Sequence, residues 1–154
     1  MIVVICGPPG AGKTTLATRL RETLAARGQP TELVHSDDYS RRTYDRLYER
    51  VRDVPAGTIA IVDGTFYRRS WQTQFRTLST VRFVHVTASL ETCLERNRER
   101  DDPIDEQGVH VVYREFSEPE ADVRIDTDEC LADEAVARIL AAMRSWEWFE
   151  GREG

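Results

Sequence analysis

The sequence predicts an α/β domain, with a mostly parallel sheet and helices on both faces. Three observations carry that expectation. The apolar, β-branched runs IVVIC (residues 2–6) and TIAIVD (58–63) are continuous rather than alternating, as in strands covered on both sides. Strand-like and helix-like stretches alternate five times along the chain. A glycine-rich turn, GPPGAGKT (7–14), joins the first strand to the first helix.

The elements follow in order. After the turn, Leu16, Leu20 and Leu24 recur every fourth residue with Ala17 and Ala25 beside them. This is an apolar helical stripe, and Gly28 stops it. TELVH (31–35) makes a short second strand. SDDY comes next, then a polar helix over 40–52 with Tyr44, Leu47, Tyr48 and Val51 on one side. Pro55-Ala56-Gly57 turns the chain into the third strand, 58–63. A helix at 69–78 leads to VRFVHV (81–86). Another helix, 89–100, ends in the charged tract RNRERDD and at Pro103. A shorter helix covers 105–116, and ADVRID (121–126) is the last strand. The closing helix, 131–149, has Leu131, Ala135, Val136, Ile139, Leu140 and Met143 at helical spacing. The chain reads as one domain, 1–150, with a frayed tail, 151–154.

The 154 residues are 40% hydrophobic and 31% charged, the balance of a soluble globular protein with a real core. A formal net charge of -6 argues against general nucleic-acid binding, which asks for a basic surface. No apolar run is long enough for a membrane span. MIVVIC lacks a basic lead-in and reads as a buried strand rather than a signal peptide. The three cysteines, Cys6, Cys93 and Cys130, are widely spaced and form no CxxC pair, which speaks against a disulfide framework or zinc site. They fit free thiols in a reducing cytoplasm.

The turn has the spacing and setting of a loop that cradles phosphates: strand before, helix after. Gly7, Gly10 and Gly12 let the backbone from Gly7 through Ala11 to Thr15 turn tightly and aim its N–H groups inward. The helix start adds its positive dipole end. Lys13 supplies a full charge to the terminal phosphates, and the Thr14 hydroxyl is the expected Mg²⁺ ligand. Asp63 ends an apolar strand at the carboxyl edge, where doubly wound sheets bind ligands. It is the expected metal-organising acid, the alternative being a cap for the turn at Gly64. Asp37 and Asp38 follow the second strand at the same edge. Asp37, nearer the strand end, is the candidate to take a proton from an attacking hydroxyl; helix capping by Ser36 or Asp37 is the other reading. Arg96, Arg98 and Arg100, with Arg114 further on, supply candidates for a mobile flap that neutralises charge on a transferred phosphoryl group. The interleaved Glu91, Glu95, Glu99, Asp101 and Asp102 equally describe a solvated helix face. His35 and His85 fall within strands and read as satisfied core histidines, and His110 is isolated. Trp146, Trp148 and Phe149 read as packing for the closing helix or, alternatively, a partner surface.

GPPGAGKTT, HSDDYSRR, IVDGTFYRR, ASLETCLERNRER and YREFSEPEADVRIDTDE, in that order, resemble one branch of the P-loop kinases. That branch holds adenylylsulfate kinases, seryl-tRNA kinases and polynucleotide kinases. The resemblance implies a P-loop NTPase fold with a five-stranded parallel sheet, ATP with Mg²⁺ as donor, and a hydroxyl as acceptor. It makes Lys13 and Thr14 the ATP·Mg residues and Asp37 the base or metal organiser. It makes Arg96 to Asp105, with Arg96 and Arg100, the lid. It places IDTDE (125–129), including Thr127, beside the adenine, and YRRS (67–70) against the acceptor. DGTFYRRS stands where adenylylsulfate kinases carry a serine-proline-aromatic-arginine stretch, and SDDY replaces their glycine-aspartate pair. The additional tRNA-binding portion normal in seryl-tRNA kinases is not seen after the closing helix. The expected activity is a cytoplasmic kinase acting on a small nucleotide-like acceptor, adenylylsulfate first. The rivals are an RNA or aminoacyl-tRNA kinase, with Arg41, Arg42, Arg68 and Arg69 as a local basic strip, and an ATP-dependent switch that binds a partner.

Overall fold

The computed structural model describes residues 1–148. Five parallel strands, β1 (Ile2–Cys6), β2 (Thr31–His35), β3 (Ile59–Gly64), β4 (Val81–Thr87) and β5 (Val123–Asp126), form one sheet in the order β2-β3-β1-β4-β5. The α-helices among the described residues are α1 (Lys13–Ala26), α2 (Thr43–Arg52), α3 (Arg69–Arg76), α4 (Leu90–Arg98), α5 (Glu106–Glu115) and α6 (Ala132–Ser145). This is the predicted α/β architecture, a P-loop NTPase fold.

The continuous apolar runs are explained by two cores, one on each face. Val3, Ile5, Ile59, Ile61, Val84 and Val86 pack with α1 and α6. Their neighbours Ile2, Val4, Ala60, Val62 and Phe83 pack with Leu47 and Val51 of α2 and Phe75 of α3. Leu16, Leu20 and Leu24 of α1 are fully buried, and each contributes about 1.5–3 kcal/mol. That packing, not helix propensity, holds a helix whose first turn is rich in threonine.

Several element ends differ from the sequence expectation, most at the second and closing helices. The second helix starts at Thr43, because Arg42 takes the left-handed conformation (φ 51°) as its N-cap. Residues 36–38 form a separate single 3₁₀ turn, with no side-chain cap. The capping role weighed for Ser36 or Asp37 is therefore not found. The closing helix stops at Ser145. Glu147 turns left-handed (φ 61°) and the Trp148 amide donates to the Met143 carbonyl at 3.1 Å. This folds the indole of Trp148 back into the core, 7% exposed, against Trp146. The two tryptophans thus take the packing role. Phe149 and the tail 151–154 lie outside the described residues.

β1 lies between β3 and β4, so its outgoing loop sits at the point where the strand order reverses. In such sheets the crevice at the carboxyl edge is where ligands bind.

Candidate active site

β1 ends at Cys6, and the loop over residues 7–12 leads straight into α1, with Gly12 as the N-cap. Close approach explains two of its glycines. A Cβ on Gly7 would stand 2.0 Å from the Val86 carbonyl oxygen, and one on Gly10 would stand 2.3 Å from that of Cys93. The loop is thus pressed onto β4 and α4. Lys13 curls over the loop, its Nζ donating to the Pro8 carbonyl at 3.0 Å. Burial lowers the pKa of this ammonium, while the nearby Asp63 carboxylate works in the other direction. Ala11 is fully buried; its amide donates to Pro8 and its carbonyl accepts from Thr127 at 2.7 Å. Thr14 and Thr15 are exposed on the first turn of α1. They open onto a surface groove of about 530 Å³ that runs along Thr18, Arg19 and Glu22 to Asp133 of α6.

Asp63 is 5% exposed. Its Oδ2 accepts from the Thr14 hydroxyl at 2.7 Å and stands 2.9 Å from His35 Nδ1. It does not cap the turn at Gly64. β2 and β3 pair His35 with Asp63, and β1 pairs Ile5 with Asp63. Sheet register therefore fixes the carboxylate beside the start of α1. His35 is correspondingly more than a core histidine: it touches the acid. Its place as the last residue of a strand, like that of Asp63, was the available signal.

Asp37 is 78% exposed, and its Oδ2 lies 3.6 Å from Arg100 Nη2. Arg100 stands beyond the end of α4, in the connection to α5. Asn97 braces the base of that connection: its side-chain amide donates to the Ile104 carbonyl at 2.7 Å and accepts from the Ile104 amide at 3.0 Å. An ion pair between Arg98 and Glu106 closes the same base from outside. Arg96, within α4, faces the other way. Its guanidinium donates to the Gly10 and Ala11 carbonyls at 3.3 and 3.1 Å and to the Thr127 hydroxyl at 2.7 Å. The structure therefore brings Lys13, Thr14 and Asp63 together, places Asp37 with Arg100, and sets Arg96 with Thr127 behind the loop.

Beside Asp37 a cavity of about 580 Å³ is lined by Ser36, Tyr39, Arg42, Tyr44, Thr65 and Trp71, among others. Trp71 stacks on Tyr44 at 3.8 Å, and Arg68 lies over the Trp71 ring at 5.2 Å. The Tyr44 hydroxyl meets the Thr65 hydroxyl and accepts from the Phe66 amide, both at 3.0 Å. This aromatic wall was missed in the sequence, because its members come from α2, α3 and the loop after β3. His85 departs from expectation too. It is buried, but its Nδ1 has no hydrogen-bond partner among the described residues, so it is not a satisfied core histidine. Among the described residues, no group of three or more His, Cys, Asp or Glu side chains is placed to hold a metal ion, and no helix is long and apolar enough to cross a membrane.

Comparison with solved structures finds the same fold many times. The chain is similar to a gluconokinase from Sinorhizobium meliloti 1021 (TM-score 0.73, 16% identity, 94% of this chain and 91% of that one). It is similar to Chaetomium thermophilum Kti12 in complex with ADP-AlF3 (TM-score 0.76, 20% identity, 98% and 100%). It is also similar to the Mycobacterium tuberculosis APS kinase CysC in complex with AMPPNP and APS (TM-score 0.71, 16% identity, 93% and 96%). At these identities the likeness establishes the fold. No curated protein matches in sequence. The family comparison matches residues 2–125, from β1 through the phosphate loop and Asp63 into β5, and on that match the chain belongs to the AAA_33 family of AAA domains.

Proposed function

We propose that the protein is a kinase that uses ATP and Mg²⁺ to phosphorylate a hydroxyl of a small, nucleotide-like acceptor, with adenylylsulfate the first acceptor to try. The observation that carries this reading is the cavity beside Asp37. It is of a size to hold a small ligand. Its wall offers the Tyr44 and Trp71 rings and the Arg42 cation beside the Asp37 and Asp45 carboxylates, a mixed lining that suits a planar molecule with polar groups.

The residues present fit the nucleotide and its metal. The loop requires glycine at Gly7 and Gly10, where a Cβ would run into the Val86 and Cys93 carbonyls, and it ends at the N-terminus of α1, which favours phosphate. The hard oxygens of Thr14 and Asp63 suit Mg²⁺, which takes few protein ligands and completes its shell with water and phosphate oxygens. ATP supplies the phosphoryl group, and the metal neutralises its charge. Lys13 and the loop amides hold the phosphate chain. Asp63, with His35 on the same oxygen, holds the Thr14 hydroxyl in place. Asp37 takes the proton of the acceptor hydroxyl, and Arg100 covers the site from the α4–α5 connection. Arg96 and Thr127 brace the loop from behind, so Arg96 is a positioning residue.

A second reading has one observation in its favour: Kti12, bound to ADP-AlF3, superposes over 98% of this chain. On that reading this protein is an ATPase whose turnover needs no small acceptor. The test is ATP labelled on the γ-phosphate with Mg²⁺, offered to adenylylsulfate, gluconate, a 5′-hydroxyl oligonucleotide and bulk tRNA in separate reactions, with Lys13→Ala alongside. Label on a small acceptor in the wild type and none in the variant supports the kinase reading. Label on RNA alone overturns the choice of acceptor, and label only in free phosphate overturns transfer.

A further inference from the structure

A second cavity, of about 140 Å³, lies on the other shoulder of the phosphate loop. It is lined by Pro8, His85, Thr87, Tyr113, Phe116 and Glu118. Its floor is unusual. His85 is 3% exposed and its Nδ1 has no partner among the described residues, a state that folded chains rarely tolerate without a ligand or water. Phe116 stacks flat on the imidazole at 5.3 Å and 4°, which fixes the plane of the ring. The Tyr113 hydroxyl is already committed to the Ala88 carbonyl at 2.9 Å. The cavity has room for more than one water at about 30 Å³ each.

The lining says what fits. Burial and the Arg124 cation lower the pKa of His85, with Glu118 opposing, so the ring is neutral at neutral pH. A neutral imidazole and the Thr87 side chain favour an uncharged group that donates hydrogen bonds; the Glu118 carboxylate is mostly exposed and paired with Arg124 at 3.3 Å. The cavity beside Asp37 differs in carrying a cation, Arg42, on its wall together with the Asp37 and Asp45 carboxylates. The smaller cavity is lined from β4, the α5–β5 region and Pro8 of the loop, the larger from residues after β2, from α2 and α3, and from Thr65 after β3.

We propose that the His85 cavity is a second acceptor subsite, which receives an uncharged, hydroxyl-bearing arm of the molecule whose reacting hydroxyl meets Asp37. This rests on the phosphotransfer reading above. The test uses protein carrying ¹⁵N-labelled histidine. Its three histidines give ring signals that His85→Phe assigns. Glycerol and D-ribose are the probes, and inorganic phosphate is the control. Both polyols are expected to move the His85 ring nitrogens, and phosphate to leave them in place. With the acceptor identified by label transfer, His85→Phe is expected to raise its KM about five- to tenfold, the loss of one neutral hydrogen bond, with kcat within twofold. His85→Gln restores KM. If His85→Phe does not fold, Phe116→Trp narrows the cavity from its rim and gives the same reading. Label transfer with no polyol shift, or an unchanged KM in the filled variants, overturns the subsite. A polyol shift with no transfer to any acceptor supports the cavity as a polyol site and overturns the phosphotransfer reading instead.

Discussion

The two flanks of the phosphate loop are built on opposite plans. On the β4–β5 flank, Arg96 makes four hydrogen bonds to Gly10, Ala11 and Thr127, and Thr127 itself donates to Ala11. Gly7 and Gly10 lie too close to neighbouring backbone for any side chain. On the β2–β3 flank, Asp37 is mostly in solvent, and among the described residues the one ion pair it forms is the 3.6 Å approach of Arg100. Exposed pairs of that kind contribute little to stability. The difference separates two jobs. A cradle for phosphates must be rigid before its ligand arrives, while groups that meet an acceptor must be free to change partners.

The largest expected effect falls on the β2–β3 flank, at the buried acid that anchors the start of α1. Asp63→Ala removes the anchor of Thr14 and His35, and should lower kcat about 10³-fold, measured as label transferred at saturating ATP. Asp37→Asn comes next: loss of the proton acceptor should cost about 10² in kcat. The melting temperature should stay within about 1 °C, because the carboxylate is exposed. A large drop in its melting temperature would break the contrast between the flanks. Arg96→Ala should instead destabilise the fold by about 2 kcal/mol, read by urea denaturation, since buried acceptors lose a charged donor. Arg100→Ala should change stability by no more than about 0.5 kcal/mol and lower kcat about tenfold. The smallest effect concerns acid. Burial lowers the pKa of His85 below its ordinary 6.5. Below that value the unfolded chain binds a proton that the folded chain resists, so stability falls as pH drops from 6.5 towards the folded pKa. His85→Phe should flatten that part of the curve, measured as melting temperature between pH 7 and 5.

The phosphate loop and its acid were legible, whereas the Arg96 bracing of the rigid flank was not. Gly7 to Thr14 is a local motif, and Asp63 is visible because it ends an apolar strand. Both depend on near neighbours in the chain. What stayed hidden depends on packing between distant segments. Arg96 and Arg100 look alike in ETCLERNRER, yet the one lies in α4 facing the loop carbonyls and the other lies beyond it, facing Asp37. The wall formed by Tyr44 and Trp71 joins residues from two helices. His85 was expected to be satisfied as other strand histidines are. The sequence holds no sign that Phe116 would stack on its ring and leave Nδ1 without a partner among the described residues. Helix ends were misplaced where a non-glycine residue turned left-handed, at Arg42 and Glu147, because no glycine marks the stop.

The most direct measurement is ATP consumption by the wild type and by Asp37→Asn, each with and without the acceptor that label transfer identifies. The account predicts that the acceptor raises wild-type turnover at least about tenfold, and that Asp37→Asn loses this stimulation while keeping the acceptor-free background. Equal turnover with and without acceptor, unchanged in Asp37→Asn, would contradict it and leave an ATPase whose Asp37 cavity serves some other purpose.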